Sequence, residues 1–180
     1  VTSPPHIYLL GGASVTGSLA SCLEYNLTTN EWTQLPDLPF PRSHAAATRT
    51  ADGTLIVAGG LAGLGSAQPL GDVWALPLGA ALWELRDPMP TARGGCAYGT
   101  ILGQLVCAGG EAGSSALRVV ESYDPITNIW TPRPDMPEAR AGTQGAAIAQ
   151  RLYVPGGANG LVFEPIDTIE IFSLLDAIAM

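Results

Sequence analysis

The sequence predicts an all-β fold built from four copies of one repeat unit. Of its 180 residues, 47% are hydrophobic and 13% are charged, which is typical of a chain that folds around a core. A short apolar run ending in Gly-Gly occurs four times, and a tryptophan is followed ten residues later by an arginine three times. The apolar runs are too short for helices and are bounded by turn residues, so they favour strands.

Each predicted unit contains one Gly-Gly run. The four runs are His6–Gly12, Thr54–Gly60, Gln104–Gly110 and Arg151–Gly157. Their first glycines are 48, 50 and 47 residues apart. Glycine permits a positive φ and close backbone packing where a strand leaves a crowded centre. The pattern therefore indicates a repeat architecture, in which neighbouring units stack to form a continuous core.

Three further strands are predicted in a complete unit. A second run follows each Gly-Gly pair, at Leu19–Tyr25, Asp72–Leu76, Leu117–Tyr123 and Thr168–Phe172. A short strand then surrounds each repeated tryptophan. Runs rich in small residues precede the later Gly-Gly strands, at His44–Thr50, Gly94–Thr100 and Gly142–Ala149. Small residues suit the innermost strands of a propeller, which approach one another at its axis. Each unit is thus predicted to be one four-stranded antiparallel blade.

The tryptophan and arginine positions repeat with a fixed offset. The pairs are Trp32 and Arg42, Trp83 and Arg93, and Trp130 and Arg140, with Leu38-Pro39, Met89-Pro90 and Met136-Pro137 between them. A regular position on an outer strand predicts that these tryptophans pack between blades. Trp74 lies outside the pattern, beside the long loop Leu61–Gly71, and is expected to be more exposed.

These motifs resemble the kelch-repeat family over essentially the whole chain. The family pattern is a Gly-Gly strand, then Glu-x-Tyr-Asp or Asn, Thr, Trp, Met-Pro and Arg. The third unit matches it almost fully from Glu121 to Trp130, and the first matches from Glu24 to Trp32. The second unit departs from it at Asp72–Trp74, and the fourth has Thr168–Phe172 in its place. The resemblance implies a kelch-type β-propeller.

The strand count predicts incomplete terminal blades. The chain is expected to be one domain, 1–180, with units at about 1–41, 42–92, 93–139 and 140–180. The first unit lacks an innermost strand and the last lacks its tryptophan strand, which leaves 14 strands. Kelch propellers typically close with six or seven blades. We therefore expect a partial propeller, or a ring completed by a second copy, since open strand edges favour association.

Charge and composition exclude several classes of function. The net charge is −8, and the eight basic residues are all arginines. Nucleic-acid binding needs clustered basic residues, so it is not expected. No apolar run approaches the length of a membrane span. Two histidines and three cysteines show no metal-binding spacing, so no metal and no cofactor are expected. Cys96 and Cys107 are expected to be buried, inert thiols, and no disulfide framework is predicted. The compartment is not predicted.

The repeated arginines are the candidate site. Fold symmetry places Arg42, Arg93 and Arg140 around one mouth of the central channel, with Ser43, His44 and Gly94 beside them. The resemblance implies a ligand-binding ring, because arginines at this position in kelch adaptors of ubiquitin ligases receive acidic peptides. Guanidinium groups suit carboxylates through paired hydrogen bonds. The other interpretation is structural, with each arginine pairing with a carboxylate or carbonyls within its own blade.

Two classes of function follow from the arginine ring. The first is a non-enzymatic binding module for a protein, an acidic peptide or another anionic ligand. The alternative is a carbohydrate-active enzyme of kelch fold, similar to sugar-acid mutarotases or to copper-radical oxidases. No catalytic residue is assigned, and His6 and His44 do not reproduce the oxidase grouping. The binding module is the favoured hypothesis.

Overall fold

The structure is a computed structural model that describes residues 6–63, 68–160 and 164–175, and every regular element within these ranges is a β-strand. The strands of the first two units are β1 (His6–Ser14), β2 (Gly17–Asn26), β3 (Glu31–Leu35), β4 (Ala46–Arg49), β5 (Leu55–Ala62), β6 (Gln68–Leu76) and β7 (Glu84–Arg86). They form a three-stranded sheet in the order β1-β2-β3 and a four-stranded sheet in the order β4-β5-β6-β7.

The third and fourth units repeat this plan and add short ribbons. Their strands are β8 (Ala97–Ile101), β9 (Gln104–Ala108), β10 (Glu111–Ala112), β11 (Ser115–Ala116), β12 (Val120–Asp124), β13 (Ile129–Arg133), β14 (Ala146–Ile148), β15 (Arg151–Pro155), β16 (Ala158–Asn159), β17 (Glu164–Pro165) and β18 (Ile169–Ser173). The sheets run in the orders β13-β12-β9-β8 and β14-β15-β18. The pairs β10-β11 and β16-β17 form separate ribbons.

The four main sheets confirm the predicted partial propeller. They hold three, four, four and three strands, and all their pairings are antiparallel. The innermost strands β4, β8 and β14 are neighbours along the centre. Within the described ranges, the first sheet has no innermost strand and the last sheet has no outer tryptophan strand, as the repeat pattern predicts. The domain boundaries stay a prediction.

Apolar contacts between consecutive sheets form the core. Three clusters lie at the three junctions between the four sheets. At the first junction, Cys22 and Leu38 of the first unit pack with Val57 and Trp83 of the second. Burial of such side chains stabilises by about 1.5–3 kcal/mol each. Since each sheet buries its faces mainly against its neighbours, the blades hold one another in place.

Two of the repeated tryptophans confirm the prediction of packing between blades. Trp83 donates its indole N–H to the carbonyl oxygen of Pro36 in the preceding unit, at 2.9 Å. Trp130 donates in the same way to the carbonyl oxygen of Asp87, at 3.1 Å. Trp32 contacts Tyr25 of its own sheet, with the two rings tilted and their centroids 4.8 Å apart, and is 52% exposed.

The expectation for Trp74 was wrong. Its ring is partly buried against the core cluster at the first junction, near Phe40. Its indole N–H donates to the Asp72 carboxylate. Trp74 lies opposite Val57 in the antiparallel register of β5 and β6, so its ring packs on the face of a sheet. Part of the neighbouring loop, residues 64–67, lies outside the described residues, as do residues 161–163 of the corresponding loop in the fourth unit.

The expectation of free thiols at Cys96 and Cys107 was also wrong, because the two form a disulfide. Cys96 directly precedes β8, and Cys107 lies in β9, opposite Tyr98. The hairpin brings their Cα atoms to 5.8 Å, within the usual range for a disulfide. Cys22 remains a buried free thiol, and burial raises its pKa.

The disulfide is expected to stabilise the third blade by about 2–3 kcal/mol, because it closes a loop of 11 residues in the unfolded chain. Without reductant, alkylation in denaturant followed by intact mass measurement should modify Cys22 alone. With reductant it should modify all three cysteines, and denaturant unfolding should shift to a lower midpoint. The Cys96→Ala/Cys107→Ala double variant should be insensitive to reductant. Three modified cysteines in the absence of reductant would contradict the pairing.

Candidate functional site

The three repeated arginines are buried inside the blades. Arg42, Arg93 and Arg140 are 0%, 1% and 0% exposed. Each precedes the innermost strand of its unit, as the sequence predicts, but the guanidinium group turns inward rather than toward an open surface. The three guanidinium groups are therefore closed off from solvent, and a ligand-binding role for them stays a prediction.

Each guanidinium group is paired with a carboxylate of its own repeat unit. Arg42 Nη2 lies 2.6 Å from Asp72 Oδ2 in β6, and Arg140 Nη2 lies 3.2 Å from Glu170 Oε1 in β18. Arg93 pairs with Glu121 in β12, whose side chain is 4% exposed. This is the arrangement that the structural interpretation describes.

Backbone carbonyls complete the surroundings of each guanidinium group. The acceptors are Gly59 O for Arg42 at 3.0 Å, Cys107 O for Arg93 at 3.1 Å, and Gly156 O for Arg140 at 2.9 Å. Gly59 and Gly156 are the first glycines of their pairs, and Cys107 lies two residues before the first glycine of its pair. The arginine therefore joins two neighbouring strands of its own blade.

The backbone of each arginine also joins its blade to the preceding one. Arg42 O, Arg93 O and Arg140 O accept hydrogen bonds from the second glycines Gly12, Gly60 and Gly110, at 2.8, 2.9 and 2.9 Å. This contact explains why the Gly-Gly and arginine motifs recur together. The two motifs form one joint between consecutive blades.

The pKa shifts agree with paired, ionised groups. Burial opposes ionisation of the Asp72 carboxyl, but hydrogen bonds from Arg42 and Trp74 outweigh it, and the pKa of Asp72 lies below its ordinary value. Burial lowers the pKa of Arg93, and the Glu121 carboxylate partly offsets this. Arginine begins from a pKa so high that it stays charged.

The residues that follow the arginines lie on one face of the molecule. Ser43, Gly94 and Ala141 each exchange two backbone hydrogen bonds with the residue that follows the Gly-Gly pair of the same unit: Leu61, Glu111 and Ala158. Ser43 is 8% exposed, and Gly94 is buried. Of the six predicted site residues, His44 is the exposed one.

His44 belongs to a row of left-handed residues. His44, Gly95 and Gly142 hold equivalent positions and have φ values of 54°, 62° and 68°. Gly95 N–H donates to His44 O at 2.8 Å, and Gly142 N–H donates to Gly95 O at 3.2 Å. This backbone row crosses three blades at the end of the innermost strands.

A cavity of about 220 Å³ opens beside this row. We call it the mouth cavity, and its lining is His44, Glu111, Gly113, Ser114, Ser115, Ala116, Ala141, Gly142, Ala158 and Gly160. It combines the predicted residue His44 with the β10-β11 ribbon and two segments of the fourth unit. The loops that follow the Gly-Gly strands, Glu111–Ala116 and Ala158–Glu164 among them, are those that a repeat fold is expected to gather on one face, but none of their residues was assigned to the site from the sequence. The available signal was the position of Glu111 directly after a Gly-Gly pair, on the face where the repeat places its loops.

Other kinds of site find no support in the described part of the chain. It contains no group of three or more His, Cys, Asp or Glu side chains placed to hold a metal ion. None of its elements is a helix long and apolar enough to cross a membrane. The two histidines also lie at separate places: His6 pairs with Glu24 near the start of β1, and His44 lines the mouth cavity.

Comparison with known proteins agrees with the repeat and the blade geometry. The family model for the Kelch motif matches residues 1–39 and 92–137. The chain is 33% identical over 174 residues to Kelch-like protein terF of Aspergillus terreus, covering 89% of this chain and 38% of that protein. The chain belongs to the kelch-repeat family. It is 33% identical over 133 residues to human Kelch-like protein 33, covering 73% of this chain and 25% of that protein.

A solved structure shows the same fold. The structure of YjhT superposes with a TM-score of 0.74 at 17% sequence identity, covering 88% of this chain and 51% of that one.

A shorter similarity, 41% over 80 residues, links the chain to the Influenza virus NS1A-binding protein homolog of Xenopus laevis, covering 44% of this chain and 12% of that protein. The kelch-repeat chain thus spans less than two fifths of the length of these curated relatives.

Proposed function

We propose that this kelch-repeat chain is a non-enzymatic, protein-binding module that recognises an exposed segment of its partner at the mouth cavity. The observation that carries the proposal is the mouth cavity itself, which residues of three units line at the ends of the innermost strands. Loops held by a rigid scaffold are common binding surfaces, and insertions in repeat folds gather on one face. The name of the Xenopus laevis relative, an NS1A-binding protein homolog, supports the same class of function.

The finer hypothesis of an acidic ligand held by the arginine ring stays a prediction. It requires guanidinium groups that are free to bind, whereas those of Arg42, Arg93 and Arg140 are occupied by carboxylates and carbonyls. The carbohydrate-active alternative also needs convergent catalytic groups. Because His6 and His44 lie in different units at separate places, an oxidase-like grouping receives no support from the described residues.

Blocking the mouth cavity is expected to abolish partner binding. Ser114 is exposed and lines the cavity, so Ser114→Trp should fill it without disturbing the core. The control is Ile126→Trp, at the turn between β12 and β13, where Ile126 is 93% exposed. Affinity capture with quantitative mass spectrometry should find partners that bind the unsubstituted chain and Ile126→Trp but not Ser114→Trp. Equal capture by all three chains would contradict a binding site in the mouth cavity.

We also propose that the 180-residue chain self-associates. Each inner sheet packs against a neighbour on both faces, whereas each terminal sheet leaves one face with exposed apolar side chains. These include Ile7 and Leu9 in β1 and Ile169 and Ile171 in β18. Their exposed fractions range from 47% to 62%. Multi-angle light scattering of the purified chain should therefore give a mass above 18.6 kDa that rises with concentration. A monomer across the concentration range would contradict this proposal.

A further inference from the structure

The mouth cavity is acidic, although the sequence suggested a basic one. Among the described residues that line it, Glu111 is the one that carries a full negative charge, and none of them is an arginine. The nearest repeated arginines are buried in ion pairs, which leaves little positive potential at the opening. Outside those buried pairs the chain remains strongly acidic, since its net charge is −8.

The carboxylate of Glu111 is available to a ligand. Its backbone is fixed by two hydrogen bonds with Gly94, at 3.1 and 2.8 Å, whereas no side chain of the described residues pairs with its carboxylate. The side chain is half-buried, and its Oε1 lies beside Gly95 in the row of left-handed residues. A half-buried carboxylate without a counter-ion attracts a cation more strongly than a fully solvated surface carboxylate.

The shape of the cavity fits a long side chain. Beyond the backbone of Gly113, Gly142 and Gly160 there is open space, with no atom within 4 Å of where a Cβ would stand. Ser114 and Ser115 are exposed on the rim and offer hydroxyl oxygens. A guanidinium group has five N–H donors that suit a carboxylate and flanking hydroxyls.

We propose that the mouth cavity binds an arginine side chain of a basic partner segment, with the guanidinium group paired to Glu111. This inference rests on the proposed binding function and specifies the chemistry of the partner. It reverses the charge that the arginine motif suggested, because the arginines of the motif hold the blades and Glu111 faces the opening. The partner is thus a protein with an exposed, arginine-containing segment.

Two matched peptides test the charge preference. One is a capped hexapeptide with two central arginines flanked by serine and glycine, and the other has two glutamates in their place. Titration into the ¹⁵N-labelled chain should shift the amide signals of residues 111–116, 141–142 and 158–160 with the arginine peptide only. Glu111→Gln should weaken arginine-peptide binding about fivefold to tenfold, as expected for a charged hydrogen bond that is partly screened.

The control variant is Glu31→Gln, which removes the same charge from an exposed position on β3. It should change the affinity less than about twofold, because charges beyond a Debye length of about 8–10 Å are largely screened. Equal loss in both variants would mean that overall charge, not Glu111, attracts the peptide, and would overturn the inference. Preferential binding of the glutamate peptide in the mouth cavity would overturn it while leaving the proposed function intact. If neither peptide shifted the amide signals at the mouth cavity, the inference would also be overturned. The proposed function has its own test, because partner capture that is unchanged in Ser114→Trp would count against it.

Discussion

Arg93→Ala is expected to lower the free energy of unfolding by about 3–5 kcal/mol, the usual loss when one partner of a buried ion pair is removed. The substitution leaves the Glu121 carboxylate, 4% exposed, without its cation. It also leaves Cys107 O without the hydrogen bond that Arg93 donates. Denaturant unfolding followed by circular dichroism measures the loss.

Arg118→Ala is the control for this substitution. Arg118 is exposed and donates one hydrogen bond, from Nε to Met136 O at 2.7 Å, so its removal should cost about 1 kcal/mol. The double variant Arg93→Met/Glu121→Leu should recover much of the stability lost in Arg93→Ala, because it removes both charges and refills the space. Equal effects of Arg93→Ala and Arg118→Ala would show that the buried pair does not hold the third blade.

The blades were predictable from the sequence because their signals are local. Apolar runs, the glycines that end them and the small residues of the inner strands each act within one strand, and the structure gives the same order of strands. The interblade role of Trp83 and Trp130 was predictable for a related reason. A large side chain at the same position in three units is expected at the surface between units, and Trp32 is exposed because no sheet of the described residues precedes the first unit.

The inward direction of the arginines depended on contacts distant in sequence. The recurrence of Arg42, Arg93 and Arg140 suits a ring of ligand-binding groups as well as a structural pair. The structural pairing depends on a carboxylate 28 to 30 residues after each arginine, and on the antiparallel strand that carries it. These carboxylates belong to Asp72, Glu121 and Glu170. That regular offset was present in the sequence, and it distinguishes a pairing within the blade from a free guanidinium group.

The disulfide illustrates the same limit. The number and spacing of the cysteines argued against a disulfide framework, but Cys96 directly precedes β8 and Cys107 lies in β9, the two strands of one hairpin. Placing both residues on the predicted strands brings them across from each other. The mouth cavity was less predictable, because Glu111, His44 and Gly142 meet only when three blades are stacked.

The second large effect is expected at the joint between the second and third blades. Gly59 has a φ of +62°, and a Cβ there would stand 2.6 Å from the carbonyl oxygen of Arg93. Gly59→Ala therefore combines left-handed strain of about 1–2 kcal/mol with overpacking of about 1–3 kcal/mol. We expect the free energy of unfolding to fall by about 2–5 kcal/mol.

A second glycine separates these two causes. Gly79 has a φ of +77°, but no atom lies within 4 Å of the position of its Cβ. Gly79→Ala should therefore show the conformational strain alone, about 1–2 kcal/mol. The difference between the two variants measures the close approach of the Gly-Gly strand to the arginine backbone of the next blade. If Gly59→Ala cost no more than Gly79→Ala, the glycine would be required only for its positive φ, and its close approach to the next blade would not contribute to stability.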